Sequence, residues 1–305
     1  MKNTSAIITE MNNMIIVATF FFLWLAIFFE DAVENIFAYI LILSFGILHG
    51  ANDLKLLQKS ESIRESGREY ITWFIYYVLF VLISLSVFYF IPAIALVLFV
   101  IFSAYHFGEQ HWAIKVQKPT FVIQTFFICY GFFILFLLFH AHENAVTDII
   151  YNITGYTVWR KAYFFGCLIS GSTAALLLGT AFINKTIKSS IVLEVFLLLV
   201  FFVVFNVASL LWAFAIYFIL WHSLPSLAEQ IVFLHGNLSG KSIKKYIVSS
   251  FPYWIISVIG ISLLLYMFRD DFETSLAFFF SFLAAITFPH ILVISRLKNN
   301  EKGLP

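Results

Sequence analysis

Four histidines lie within or at the end of long apolar segments of this chain: His49, His106, His222 and His290. An imidazole is costly to hold in hydrocarbon, so an ionisable side chain inside a membrane segment indicates a functional site. Neutral imidazole is also a common metal ligand, and it suits iron, copper and zinc. The four histidines therefore predict a metal site, and we take all four as candidate metal ligands and catalytic residues.

Acidic side chains follow two of these histidines at helical spacing. Asp53 lies four residues after His49, and Glu109 lies three residues after His106, with Tyr105 beside it. Residues three or four apart share a helix face, and a metal-bound imidazole usually donates its other N–H to a carboxylate or carbonyl. We expect Asp53 to hydrogen-bond His49, and Glu109 to orient His106 or to bind the metal itself. The plainer alternative is that Asp53 merely begins a polar loop.

Prolines stand close to the other two histidines. Pro225 lies three residues after His222, and Pro289 directly precedes His290. Proline removes a backbone hydrogen bond and kinks a helix, and such a break in a membrane is tolerated where it faces protein or a cavity. Bundle packing alone would explain either proline. Because a histidine accompanies each one, the pattern favours a functional site.

The composition predicts the elements that carry these residues. Hydrophobic residues make up 62% of the 305 positions and charged residues 11%, against about 25% charged in soluble domains. Apolar stretches of about 20 residues recur, each long enough to cross a bilayer, without the alternating polarity of a membrane β-strand. We predict an all-α, polytopic transmembrane helical bundle in a single integral membrane domain, 1–305. At Asn206 two short spans could instead be one long tilted helix. The ten predicted helices are approximately 14–29, 36–54, 70–90, 92–112, 120–139, 161–183, 190–205, 208–233, 246–268 and 274–295.

Basic residues predict the orientation of these spans, because lysine and arginine accumulate in the cytoplasmic loops of membrane proteins. With both termini cytoplasmic, 15 of the 18 lysines and arginines fall on the cytoplasmic side. The four histidines then lie in the cytoplasmic halves of the second, fourth, eighth and tenth predicted helices, which all run inward. A common site would require this shared depth. The cytoplasmic basic residues are Lys2, Lys55, Lys59, Arg64, Arg68, Lys115, Lys118, Lys185, Lys188, Lys241, Lys244, Lys245, Arg296, Lys298 and Lys302.

Other features of the sequence predict simpler roles. The net charge of +1 and the lack of a basic face argue against nucleic acid as a partner. Cys129 and Cys167 lie in apolar segments and are expected to be small buried hydrophobic residues. We expect His111 to approach the lipid headgroups beside Trp112, a candidate for the aromatic belt. Peripheral or solvated positions are expected for His140, His142 and His235.

The residues around the four histidines resemble a known family. The segments His49-Gly50-Ala51-Asn52-Asp53 and Tyr105-His106-Phe107-Gly108-Glu109, then Trp221-His222 and Pro289-His290, are similar in order and spacing to the Brp/Blh family of bacterial and archaeal membrane β-carotene dioxygenases. The resemblance spans nearly the whole chain, and the first two motifs together are fairly specific. It implies a non-haem Fe(II) site, in a multi-pass protein of the bacterial inner membrane. There the central double bond of β-carotene would be cleaved with O₂ into two retinals. Membrane lipid and a retinal-binding rhodopsin are the further partners it suggests.

One position departs from the family pattern. Family members often carry a second histidine four residues after the one that matches His222, and this chain has Ser226 there. Either His290 completes a shell of four histidines, or the site has three histidines or an altered activity. Ser226 could instead hold a metal-bound water.

Other functions can be weighed against the same residues. A di-iron desaturase or hydroxylase would need HxxxH and HxxHH clusters, which do not occur in this sequence. A haem carrier could use two of the histidines as axial ligands and would show a Soret band. The main alternative is a non-enzymatic carotenoid- or retinal-binding protein or rhodopsin-assembly factor, which would use His and Asp as a proton relay. Metal analysis and a carotene cleavage assay separate it from an enzyme.

Overall fold

The structure is a computed structural model that describes residues 2–60 and 68–301. Over these ranges the chain is helical and forms no strand, and one isolated antiparallel bridge joins Val116 to Ile187. The predicted all-α fold is confirmed. Arg64 and Lys302, which we predicted to be cytoplasmic, lie outside the described residues. The α-helices are α1 (Lys2–Phe28), α2 (Asp31–Leu41), α3 (Ile47–Gly50), α4 (Asp53–Ser60), α5 (Arg68–Phe90), α6 (Pro92–Trp112), α7 (Phe121–Ala141), α8 (Glu143–Thr154), α9 (Lys161–Ile183), α10 (Ile191–Val207), α11 (Leu210–Ala215), α12 (Leu224–His235), α13 (Gly240–Met267) and α14 (Phe272–Glu301).

These helices have the length and composition of membrane spans. Among the described residues, nine helical stretches have at least 18 residues and are apolar enough to cross a bilayer. A further helix, α10, is apolar but has 17 residues. The chain is therefore an integral membrane protein with an apolar helix at each predicted position. Helix α8 is a short additional helix that we did not predict.

The boundary near Asn206 is a break between two helices. Ala208 and Ser209 have extended backbones between α10 and α11. The backbone N–H of Ser209 donates to a carboxylate oxygen of Glu34, 2.7 Å away, and Glu34 is buried. The first N–H groups of a helix have no partner within that helix. Glu34 therefore satisfies one such group at the start of α11 and stabilises the break.

Contacts divide the chain into two compact units, and each contains two of the four candidate histidines. His106 and His222 belong to the first unit, and His49 and His290 belong to the second. The first unit comprises Met1–Ile42, Val100–Asp148 and Thr157–Pro225, and the second comprises Leu43–Phe99, Ile149–Tyr156 and Ser226–Pro305.

Two glycines allow close packing of helices in the first unit, where α7 also packs along α9. A Cβ atom added to Gly108 of α6 would lie 1.9 Å from the backbone oxygen of Phe127 in α7. One added to Gly131 of α7 would lie 1.7 Å from the backbone oxygen of Ala104 in α6. Small residues at such positions let membrane helices approach backbone to backbone. The absence of a side chain at both glycines thus sets the position of the α6 segment that carries His106.

The environments of His111 and Trp112 differ from the predicted headgroup positions. Trp112 is 1% exposed and packs edge-on against Phe126, so its assignment to an aromatic belt is wrong. The His111 ring lies 2.8 Å from a carboxylate oxygen of Glu194, whose other oxygen accepts from Lys115 at 2.7 Å. Buried charges are tolerated when paired. Glu194 lies far along the sequence in α10, so hydropathy near His111 could not indicate this partner.

In the second unit, α14 packs against α4, α5 and α13. Leu56 and Leu57 of α4 form an apolar cluster with Val293 and Ile294 of α14. Burial of these side chains fixes the start of α4 against α14. This packing brings the polar residues at the beginning of α4 next to His290.

Candidate metal-binding histidines

His49 and His290 form a buried pair of imidazoles in the second unit. Their ring centroids are 4.6 Å apart and the rings meet edge to face. Nδ1 of His290 lies 2.8 Å from Oδ1 of Asp53, and Nδ1 of His49 bonds the backbone oxygen of Gly46. When a neutral imidazole donates from Nδ1, its lone pair lies on Nε2. Both rings are thereby held in the tautomer that can bind a metal through Nε2.

The backbone around His49 is irregular. A π-helical segment, Ile42–Gly46, precedes α3, which ends at Gly50 before a turn at Ala51 and Asn52. Such π segments in α-helices occur frequently at functional sites. A Cβ atom added to Gly50 would lie 3.7 Å from Nδ1 of His290, so α3 passes directly over that ring.

Asp53 is bonded to a different histidine from the one we predicted. We expected a bond with His49, but the Asp53 carboxylate accepts from Nδ1 of His290. The expectation assumed a continuous helix in which positions four apart share a face. The turn at 51–52 separates α3 from α4, so that relation does not hold. The expected type of contact, a carboxylate on an imidazole, is present with a histidine 237 residues away.

Tyr77 of α5 completes this contact from a part of the sequence without a recognisable motif. Its hydroxyl donates to Oδ2 of Asp53 at 2.9 Å, while Oδ1 of Asp53 accepts from His290. Asp53 is 1% exposed, and a buried carboxylate needs such donors. The sequence contains 14 tyrosines, and no motif distinguishes Tyr77 from the others.

The turn before Asp53 is held by a second polar network. Nδ2 of Asn52 donates to the backbone oxygen of Tyr246 at 3.1 Å and to the hydroxyl of Ser250 at 2.6 Å. Buried hydrogen bonds of this kind fix backbone positions because leaving them unmade is costly. In the same unit, the hydroxyl of Ser226 accepts from Gln230 at 3.0 Å. Ser226 is 2% exposed, and the hydrogen bond of its hydroxyl is with the side chain of Gln230.

His106 and His222 form a corresponding pair in the first unit. Their ring centroids are 4.7 Å apart, again edge to face, and both residues are at most 2% exposed. Phe218 stacks on the His222 ring at a centroid distance of 5.5 Å, and Phe107 meets that ring edge to face at 4.8 Å. These aromatic neighbours make the surroundings of His222 apolar.

The acidic residue near His106 is also buried. The Tyr105 hydroxyl donates to Oε1 of Glu109 at 3.3 Å, and Glu109 is 5% exposed. The hydrogen bond described for the Glu109 carboxylate comes from Tyr105. That Glu109 orients His106 or binds the metal stays a prediction.

A second π-helical segment, Ile216–Ser223, carries His222. Pro225 follows it, and a proline cannot donate a backbone hydrogen bond to the preceding turn. The indole N–H of Trp221 donates to the hydroxyl of Thr19 at 3.0 Å, which fixes the segment against α1. The sequence predicted a helix kinked by Pro225, and the structure has a π-helical segment just before this proline.

The remaining histidines occupy other surroundings. The His140 side chain is 45% exposed and lies 3.9 Å from Glu143. His142 lies just beyond the end of α7, where burial lowers its pKa below the ordinary value. His235 ends α12. His140 is exposed as expected, whereas His142 and His235 are half-buried.

Each buried pair has the spacing of two neighbouring ligands on one ion. Two imidazole nitrogens about 2.1 Å from an ion, at a right angle to one another, place their ring centroids about 4.6 Å apart. Within either unit, the described residues form no group of three or more His, Cys, Asp or Glu side chains that could hold an ion. Each unit by itself therefore offers two imidazoles, a donor type that suits iron.

Comparison with known proteins gives a family match over most of the chain. A family model described as beta-carotene 15,15'-dioxygenase matches residues 40–298. The matched range contains both histidine pairs together with Asp53 and Tyr77. No curated protein and no solved structure matched the chain.

Proposed function

The chain belongs to the beta-carotene 15,15'-dioxygenase family, and from this premise we propose that it cleaves the central double bond of β-carotene with O₂. The products would be two molecules of retinal. The observation that carries the proposal is the family match over 40–298, which includes two pairs of buried imidazoles.

We propose further that His49, His106, His222 and His290 are the ligands of a non-haem Fe(II) ion. The edge-to-face spacing within each pair supports this assignment. Bound by these imidazoles, the ion would supply the activation of O₂ that no amino-acid side chain provides. The Asp53 carboxylate accepts a hydrogen bond from Nδ1 of His290, which would leave the lone pair of Nε2 to bind the ion. The Gly46 oxygen does the same for His49.

The stoichiometry of the reaction requires little acid–base catalysis from the side chains. Breaking one C=C bond and the O–O bond forms two C=O bonds, so each aldehyde keeps one oxygen atom. No proton or external reductant is consumed. The residues of the chain therefore bind, orient and exclude water. The aromatic rings of Phe107 and Phe218 against His222 suit this task, because β-carotene has no polar group to recognise.

We also propose that the protein works in the bacterial cytoplasmic membrane and that a retinal-binding rhodopsin receives the product. β-Carotene is soluble in hydrocarbon, so substrate would enter from the lipid. The helices long enough to span a bilayer support a membrane location.

The proposal is tested in cells that accumulate β-carotene. Expression of the full chain should consume β-carotene and produce retinal, measured by chromatography. Under ¹⁸O₂, both retinal molecules should carry label, provided the aldehydes are reduced to retinol before their oxygen exchanges with water. Purified protein should contain one iron per chain by elemental mass spectrometry. Unchanged β-carotene that copurifies with the protein would instead support the carotenoid-binding alternative, and apocarotenals of unequal length would exclude central cleavage.

Tyr77 is a positioning residue in this proposal, and its role can be measured by iron retention. Tyr77→Phe removes the hydroxyl that donates to Asp53 and leaves the ring in place. Loss of a partner that only orients a ligand typically lowers metal affinity about tenfold or more. We expect the variant to lose iron at about a tenth of the chelator concentration that strips the wild type.

The matched control for this variant is Tyr76→Phe on the same helix. The Tyr76 side chain is 60% exposed, so its hydroxyl should not affect iron retention. Equal iron retention in Tyr77→Phe and wild-type protein would show that Tyr77 does not position the ligand.

A further inference from the structure

A basic cavity lies in the second unit, and neither His49 nor His290 is among its lining residues. Its volume is about 1280 Å³, and residues of α4, the end of α12 and the first half of α13 line it. None of its twelve described lining residues is acidic. The lining includes five lysines: Lys55, Lys59, Lys241, Lys244 and Lys245.

These lysines are not neutralised within the described part of the chain. No carboxylate there forms an ion pair with any of the five. Lys59 has a structural partner, since its ammonium group donates to the backbone oxygens of Phe233 and Leu234 at 2.7 and 3.0 Å. Like charges lining one space repel one another. A negatively charged occupant would relieve that repulsion.

The lining changes from charged to uncharged along α13. Lys241, Lys244 and Lys245 lie in its first turns, and Val248, Ser249, Pro252 and Tyr253 follow further along the same helix. At about 1.5 Å per residue, Lys241 and Pro252 are about 16 Å apart along the axis. The lysines also lie near the helix N-terminus, whose partial positive charge favours anions. Val248 is 64% exposed, in keeping with contact to an apolar chain.

We propose that this cavity binds an anionic membrane phospholipid, with its phosphate group among the lysines and an acyl chain along Val248 and Pro252. Basic pockets between membrane helices recognise phospholipid headgroups in this way. Inorganic phosphate shares the charge but has no acyl chain to lie along Val248 and Pro252. The proposal does not depend on the metal or on the reaction.

Native mass spectrometry of the full chain in detergent tests the proposal. The probes are phosphatidylglycerol and phosphatidylcholine with identical acyl chains, and inorganic phosphate as a competitor. We expect phosphatidylglycerol to bind at least about tenfold more tightly than phosphatidylcholine. Millimolar inorganic phosphate should not displace it. Equal binding of the two lipids, or displacement by inorganic phosphate, would overturn the proposal.

A matched pair of triple variants locates the bound lipid. The first carries Lys241→Gln, Lys244→Gln and Lys245→Gln, and Lys59 is kept because it bonds the end of α12. The control carries Lys118→Gln, Lys185→Gln and Lys188→Gln, which remove the same charge from exposed lysines outside the cavity. We expect at least about tenfold weaker phosphatidylglycerol binding in the first and less than about twofold change in the control. Equal losses of phosphatidylglycerol binding in the two triple variants would show that the net charge of the protein, and not this cavity, determines binding.

Lysine acetylation of the wild-type protein gives the same information without any substitution. In nanodiscs with phosphatidylglycerol, Lys241, Lys244 and Lys245 should react more slowly than in nanodiscs of phosphatidylcholine alone. Lys118 and Lys188 should change less, because they lie outside the cavity. Equal protection of the two groups would contradict a localised site.

Discussion

Replacing His106 with alanine is expected to abolish both iron binding and retinal formation. His106 is 1% exposed and pairs with His222 at a centroid distance of 4.7 Å. Removing a residue that only orients a metal ligand costs up to about a hundredfold, so loss of a ligand itself should cost more. Retinal in carotene-producing cells should therefore fall by more than about a hundredfold.

The controls for this variant separate loss of the metal from loss of the fold. His140→Ala removes a histidine whose side chain is 45% exposed, and it should keep wild-type iron and retinal. His290→Ala changes the other pair. If one ion uses all four ligands, His106→Ala and His290→Ala should each reduce iron from one per chain to none. Gel filtration and thermal unfolding of each variant confirm folding. Normal iron and retinal in folded His106→Ala protein would refute the assignment.

The helices were predictable because their cause is local. A bilayer requires about 20 apolar residues for each span, and this length is visible directly in the sequence. The buried histidines were predictable for a related reason, since imidazole in an apolar segment is costly without a function. Hydropathy does not record which carbonyl accepts each N–H, so the π-helical segments Ile42–Gly46 and Ile216–Ser223 could not be foreseen.

The partners of polar side chains could not be predicted because they come from distant parts of the chain. Asp53 bonds His290 rather than His49, since packing of α4 on α14 decides the contact. The same holds for Tyr77 on Asp53 and for Glu194 beside His111. Spacing within one helix predicted a carboxylate near an imidazole. It did not predict which helix supplies each group.

Introducing a single methyl group at Gly131 is expected to be one of the most damaging small changes in the chain. Its Cβ atom would lie 1.7 Å from the backbone oxygen of Ala104 and 2.5 Å from the carbonyl carbon. A backbone carbonyl in a helix cannot rotate aside as a side chain can, so α6 and α7 must separate. Overpacking a core typically costs about 1–3 kcal/mol. Because the contact is backbone to backbone, we expect Gly131→Ala to lower the free energy of unfolding by about 3 kcal/mol or more.

Gly179→Ala in α9 is the matched control, because no atom lies within 4 Å of its added Cβ. Alanine is a better helix former than glycine by up to about 1 kcal/mol, so this variant should be neutral or slightly more stable. Denaturant titration of the purified proteins in detergent measures the difference. Separation of α6 from α7 also moves the segment that carries His106, so Gly131→Ala protein that remains folded should retain less iron. Equal unfolding midpoints for the two alanine variants would show that the α6–α7 contact tolerates a side chain.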